Sequence, residues 1–151
     1  MRDTPLNLSD AQVFTNPDST GAVSDDVIDL EQDSAANVIL TDDQLAGFLN
    51  VILTAVALSS GGTEGIVLEV RNADNSDGAT GAEVIGAREV PLADVVAGKK
   101  FAVPFRRDIA ERYVAGWLRA KSTTYTGTIT IDADLADLPI SDNEVLQKVT
   151  S

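Results

Sequence analysis

The sequence predicts an all-β protein, a jelly-roll-like antiparallel β-sandwich with extended N- and C-terminal arms. Three observations carry that expectation. Apolar runs recur in which alternate residues are apolar, as in Ile66-Val67-Leu68-Glu69-Val70-Arg71 and Thr128-Ile129-Thr130-Ile131-Asp132. The runs are separated by polar, glycine-bearing connections, of which 72–81 (NADNSDGATG) is the longest. The most apolar run, 48–58 (FLNVILTAVAL), admits a helical stripe through Leu45, Phe48, Leu49, Ile52, Leu53 and Val56. Its second reading is a strand with Leu49, Val51, Leu53, Ala55 and Ala57 on one face and Asn50 and Thr54 on the other. The flexible turn at 59–65 (SSGGTEG) and the alternating run behind it favour the strand, and a hairpin of 48–58 with 66–71. At ~3.3 Å per residue that first strand is roughly 36 Å long, and Asn50 and Thr54 break it as a membrane span.

Taken in order, residues 1–24 read as an N-terminal arm. Pro5, Pro17 and Gly21 interrupt it, the apolar pulse at Val13-Phe14 suggests one short paired or docked segment, and Leu6, Leu8, Val13 and Phe14 need something to bury against. The body spans 25–138. It begins with the short strand Val27-Ile28-Asp29-Leu30, a turn at 33–37 and a brief apolar piece at Val38-Ile39-Leu40. After the central hairpin, the loop at 74–78 offers oxygen ligands to calcium. It lacks the later bidentate acid of an EF-hand loop, so ordinary turn formation is the reading adopted. Glu83-Val84-Ile85 opens a further short element, and 90–98 forms a helical turn closed by Gly98. In 99–105 (KKFAVPF), Phe101, Val103 and Phe105 share a face, and Pro104 points to an edge strand or a strand end. The strand at 112–120 carries Gly116, expected at a bulge or close backbone approach, and Trp117, expected in the core with an interface as the alternative. The run 127–135 closes the body with Ile129 and Ile131 inward. Residues 139–151 form a C-terminal tail with too few apolar residues to fold alone.

A chain of 151 residues with 44% hydrophobic residues suits one domain with its own core. It has no cysteine and no histidine, so thiol chemistry, disulfides and histidine-based acid–base or metal work are excluded. The N-terminus lacks the basic-then-apolar pattern of a secretion signal. A net charge of −13 argues against a nucleic-acid surface. Acid crowds both ends of the sequence, whereas Lys99, Lys100, Arg106, Arg107, Arg112 and Arg119 gather in the middle. These cations are either solvated strand ends or a patch meeting acidic surface on a neighbour.

Catalytic options are thin. The adjacent pairs Asp25-Asp26 and Asp42-Asp43 point to opposite faces of a strand, so neither makes a carboxylate dyad. The GGTEG turn lacks the lysine of a phosphate-binding loop, and no serine–lysine spacing stands out. No enzymatic activity is expected.

The order and spacing of several segments resemble the Bbp16-like capsid cement (decoration) proteins of tailed bacteriophages. They are NLSDAQ at 7–12, VIDL at 27–30, FLNVILTAVAL, IVLEVRNADN, VPLADVVAGKKFAVPF, ERYVAGWLRA and GTITIDADL. The resemblance covers roughly 7–136. It implies a jelly-roll-like sandwich on the outer capsid surface that clamps neighbouring major capsid protein subunits. It also implies dimers, no enzymatic activity and no cofactor; a trimer stays open, and the charge and the broken apolar run at 48–58 leave no expectation of a nucleic-acid or membrane partner. The tail beyond 138 and the Gly116-Trp117 pair depart from the family's pattern. The residues expected at contacts with the shell or a sister subunit are Leu6, Leu8, Val13, Phe14, Arg106, Arg107 and Arg112. A receptor- or carbohydrate-binding sandwich of a phage tail is the alternative; it would want an exposed aromatic platform.

Overall fold

The computed structural model describes residues 6–29, 46–106, 113–136 and 139–140. Among these, nine strands run in the order β1 (Leu6–Thr15), β2 (Ala22–Val23), β3 (Ile28–Asp29), β4 (Ala46–Ser60), β5 (Ile66–Ala73), β6 (Glu83–Val90), β7 (Lys100–Arg106), β8 (Tyr113–Ala120) and β9 (Thr126–Ala136). The first sheet has the order β1-β9-β4-β7 and the second β2-β8-β5-β6, with β3 also on β8. All these pairings are antiparallel. The chain passes from sheet to sheet at nearly every connection and pairs its first strand with its last, the double Greek key of a jelly roll. The expected all-β, jelly-roll-like antiparallel sandwich is therefore the observed fold class.

The core lies between the sheets because strand side chains alternate. Leu49, Val51 and Leu53 of β4, Phe101, Val103 and Phe105 of β7, and Ile129, Ile131 and Leu135 of β9 face Ile66, Leu68 and Val70 of β5 and Val114 and Leu118 of β8. Each is buried, and full burial of such a side chain is worth about 1.5–3 kcal/mol. The facing expected for β7 and β9 is observed. So is the edge position of β7, where Pro104 is exposed.

Four local expectations are corrected. First, β4 and β5 are not a hairpin, because β4 pairs with β7 and β9 while β5 pairs with β6 and β8. The turn between them carries the chain across the sandwich, and Gly65 makes the crossing possible. Its φ is +96°, its N–H donates to Tyr125 Oη at 2.8 Å, and a Cβ there would press into the Val90 carbonyl and stand 2.8 Å from Leu92 N. The hairpin partner of β5 is β6, across the acidic loop. Second, a register shift between Leu53 and Ala55 reverses the facing of the far half of β4. Ala55 and Ala57, expected inward, are exposed, while Val56 and Leu58 pack against the core.

Third, the paired part of the N-terminal arm is longer than the one short segment expected around Val13-Phe14 and covers 6–15. It pairs along β9 as an edge strand, and Leu8 and Phe14 lie within the core. Gln12 ties it to the second sheet: its Nε2 donates to Val23 O at 3.0 Å, and its Oε1 accepts from Asp25 N at 2.8 Å. Fourth, Gly116 sits in unbroken register opposite Val70, and a Cβ there would meet only ordinary contacts at 3.5 Å and beyond. It marks neither a bulge nor a close approach.

Close approach occurs instead at Gly86, whose Cα packs on the Pro104 carbonyl and Phe105 where the β6 and β7 edges meet. Arg88 fastens that edge, its Nη1 donating to Ala102 O at 3.2 Å and its Cζ lying 5.2 Å from the Phe101 ring centroid. The helical turn expected at 90–98 is a single 3-10 turn at Leu92–Asp94, with Gly98 at φ +92° behind it. The turn at 33–37, the apolar piece at 38–40 and the tail after Ile140 lie outside the described residues. At the tail's start, Ile140 N donates to the Asn50 side chain at 2.9 Å, on the outer face of the first sheet.

A candidate interface on the outer face of the second sheet

On β5 and β8 the inward residues alternate with Glu69, Arg71, Trp117 and Arg119, which therefore share the outer face. The register sets Glu69 opposite Trp117, Arg71 opposite Ala115 and Arg119 opposite Val67. Diagonal neighbours at that spacing are within reach of long side chains. Arg71 donates from Nε at 2.8 Å and Nη2 at 2.5 Å to Glu69 Oε1, and Arg119 Nε donates to Oε2 at 3.0 Å. Arg71 Cζ stands 3.9 Å from the Trp117 ring centroid, and Trp117 Nε1 donates to Thr20 O at 2.9 Å. Trp117 is thus half-buried under a guanidinium on the outside of the sandwich. Its expected place in the core is corrected, because Val114 and Leu118 hold the inward positions of β8.

The carboxylate of Glu69 lies beneath the two cations. Its side chain is 5% exposed, against 19% for Arg71 and 28% for Arg119. A carboxylate so placed is costly without partners, and both of its oxygens are satisfied here. Such a triad is weak ground for stability, since apolar replacements of similar volume are often as stable. Tryptophan and arginine are, however, the residue types that most often dominate binding energy in interfaces. Around the cluster lie the exposed Val84, which pairs in register with Arg71, and the exposed Ala87, opposite Glu69. At the rim, Lys121 Nζ lies 2.5 Å from Glu89 Oε1. Their hydrogen bond lowers the Glu89 pKa and raises that of Lys121. Both side chains are exposed, so this pair is solvent-screened and sets local charge rather than stability.

The residues expected at an interface are scattered. Leu8 and Phe14 are in the chain's own core, which leaves their side chains little surface for a partner. Val13 is 54% exposed and lines a cleft of about 260 Å³ with Thr15, Asp18, Ala22 and Leu118. The backbone of Leu6 pairs with Leu135, and its side chain lies outside the described set. Arg106 is exposed at the end of β7, on the other sheet from Trp117. Arg107 and Arg112 fall outside the described residues. The Arg71–Glu69–Arg119 cluster was not expected. Its signal in the sequence was two charge- or aromatic-bearing i, i+2 pairs, Glu69/Arg71 and Trp117/Arg119, each on one strand face.

Among the described residues no group of three or more acidic side chains is placed to hold a metal ion. In the acidic loop, Asp77 is engaged by the turn itself. Thr80 Oγ1 donates to its Oδ2 at 2.5 Å, and the N–H groups of Ala79 and Thr80 donate to its Oδ1 at 2.8 Å each. The Thr80 hydroxyl first, and then the two amides, lower its pKa from 3.8. A carboxylate with a lowered folded pKa helps the turn above its unfolded value and ceases to as pH falls through the folded one. The Ala79 and Thr80 amide resonances should accordingly titrate with a midpoint below 3.8. Shifts centred above 3.8 would contradict this turn.

A family model described as Bbp16 matches residues 8–135. None of the curated proteins compared with the chain matches it.

Proposed function

The chain belongs to the Bbp16 family, a family of phage proteins, and from that premise we propose that it is a capsid cement (decoration) protein. It binds the outer surface of an icosahedral tailed-phage shell and adds buried contact across seams between major capsid protein subunits. It works by contact and catalyses nothing, and its copies associate with one another on the lattice. The observation that carries this reading is the family match across nearly the whole jelly roll. A rigid two-sheet body with a Trp–Arg cluster on one outer face gives such a protein a preorganised contact surface. Binding of this kind stabilises whichever assembled state it prefers.

The reading is tested by mixing the purified chain with shells assembled from the major capsid protein alone and sedimenting them. Saturable co-sedimentation at a fixed ratio to the shell protein is expected, with shells that withstand higher temperature. Chain left in the supernatant at every concentration would refute the reading. Removing residues 1–15 is no test of contact, because it deletes β1 from the first sheet.

A further inference from the structure

We infer that the Arg71–Glu69–Arg119 cluster beside Trp117 is a receptor for a carboxylate side chain presented by an acidic, partly apolar surface of the shell protein; this rests on the cement reading. Two guanidinium groups share one carboxylate, so the cluster carries a surplus positive charge within a chain of net charge −13. The neutralising group is underneath and the cations are above it, so an approaching partner meets the cations first. Donors remain for that partner. Arg71 uses Nε and Nη2 on Glu69, and Arg119 uses Nε on Glu69 and Nη1 on Ala120 O, which leaves Arg71 Nη1 and Arg119 Nη2 without a hydrogen bond among the described residues. Glu69 and the Trp117 ring hold Arg71 in one orientation, which reduces what binding must order. Val84, 48% exposed on the adjoining strand, supplies apolar contact beside the charge.

Charge also decides between partners. A two-fold contact between copies with its axis at this cluster would set Arg71 and Arg119 against their own copies, cation against cation. An acidic segment of a different protein is complementary instead. Among the nearer acids, Glu89 acts on Arg119 but is paired with Lys121, which Glu64 also approaches at 4.0 Å, so the surplus belongs to the triad itself; acids more than about 8 Å away are largely screened at physiological salt.

Trp117 is the chain's one tryptophan, so its fluorescence reports this site directly. Titrating the full-length protein with millimolar hexaglutamate should change Trp117 emission saturably, and hexalysine should not. Arg119→Gln should weaken both that response and co-sedimentation with shells by about tenfold or more, and Arg119→Lys should restore only part of it. Thermal melts of both variants establish that they are folded. No response to hexaglutamate, an equal response to hexalysine, or folded Arg119→Gln that co-sediments as well as the parent would overturn the proposal. A change in self-association mass with shell binding intact would assign the face to a second copy and overturn it too. A hexaglutamate response in a protein that never binds shells would refute the cement reading and leave the carboxylate site standing.

Discussion

Replacing Gly65 with alanine is expected to lower the unfolding free energy by about 4 kcal/mol, a large share of the 5–15 kcal/mol typical of a domain. Two costs combine. Alanine at φ +96° is strained by about 1–3 kcal/mol. Its Cβ must also displace the Val90 carbonyl and the Leu92 amide, which disturbs the turn that donates Gly65 N–H to Tyr125. The gain from a stiffer unfolded chain, about 0.4–1 kcal/mol, is too small to offset them. Gly98→Ala is the matched control, since φ there is +92° but nothing lies within 4 Å of the added carbon. It should cost only the strain, about 1–3 kcal/mol. Urea unfolding of the two variants compares them directly. Equal midpoints would mean that the sheet-to-sheet crossing at Gly65 is not as tight as described.

Glu69→Gln should cost about 2–3 kcal/mol. An amide offers one acceptor where the carboxylate offers two, and its NH₂ faces a guanidinium that can only donate. Breaking a fully buried pair costs 3–5 kcal/mol; the partial exposure of both arginines reduces the figure here. Lys121→Met, on the same face but in an exposed pair, should leave the midpoint nearly unchanged. If Glu69→Gln is as harmless as Lys121→Met, the cluster is not a coupled unit.

What was legible in the sequence depended on whether the information was local. β7 and β9 announce their facing because large apolar residues alternate with Lys, Thr and Asp, and burial follows that period. β8 does not, because Ala115 and Gly116 are small on both faces and leave Trp117 without a phase. The expectation of a core tryptophan followed its size rather than its register. The bulge in β4 is a property of pairing with β9, invisible in 48–58 itself, so the far half was assigned to the wrong face. The false hairpin has the same origin. A glycine-rich turn shows that the chain bends but not whether it bends back onto the same sheet. Leu8 and Phe14 showed the need for burial, but their partner proved to be the protomer's own β9. The Arg71–Glu69–Arg119 cluster joins residues 50 positions apart, and only the β5–β8 register brings them together.

Image reconstruction of shells decorated with this chain tests the central claim most directly. The expected result is one repeating set of jelly rolls on the outside of the shell, seated across subunit seams, with Trp117 and Arg119 turned toward the shell protein. Shells bare on the outside at saturating protein, or jelly rolls bound with that face turned to solvent, would contradict it.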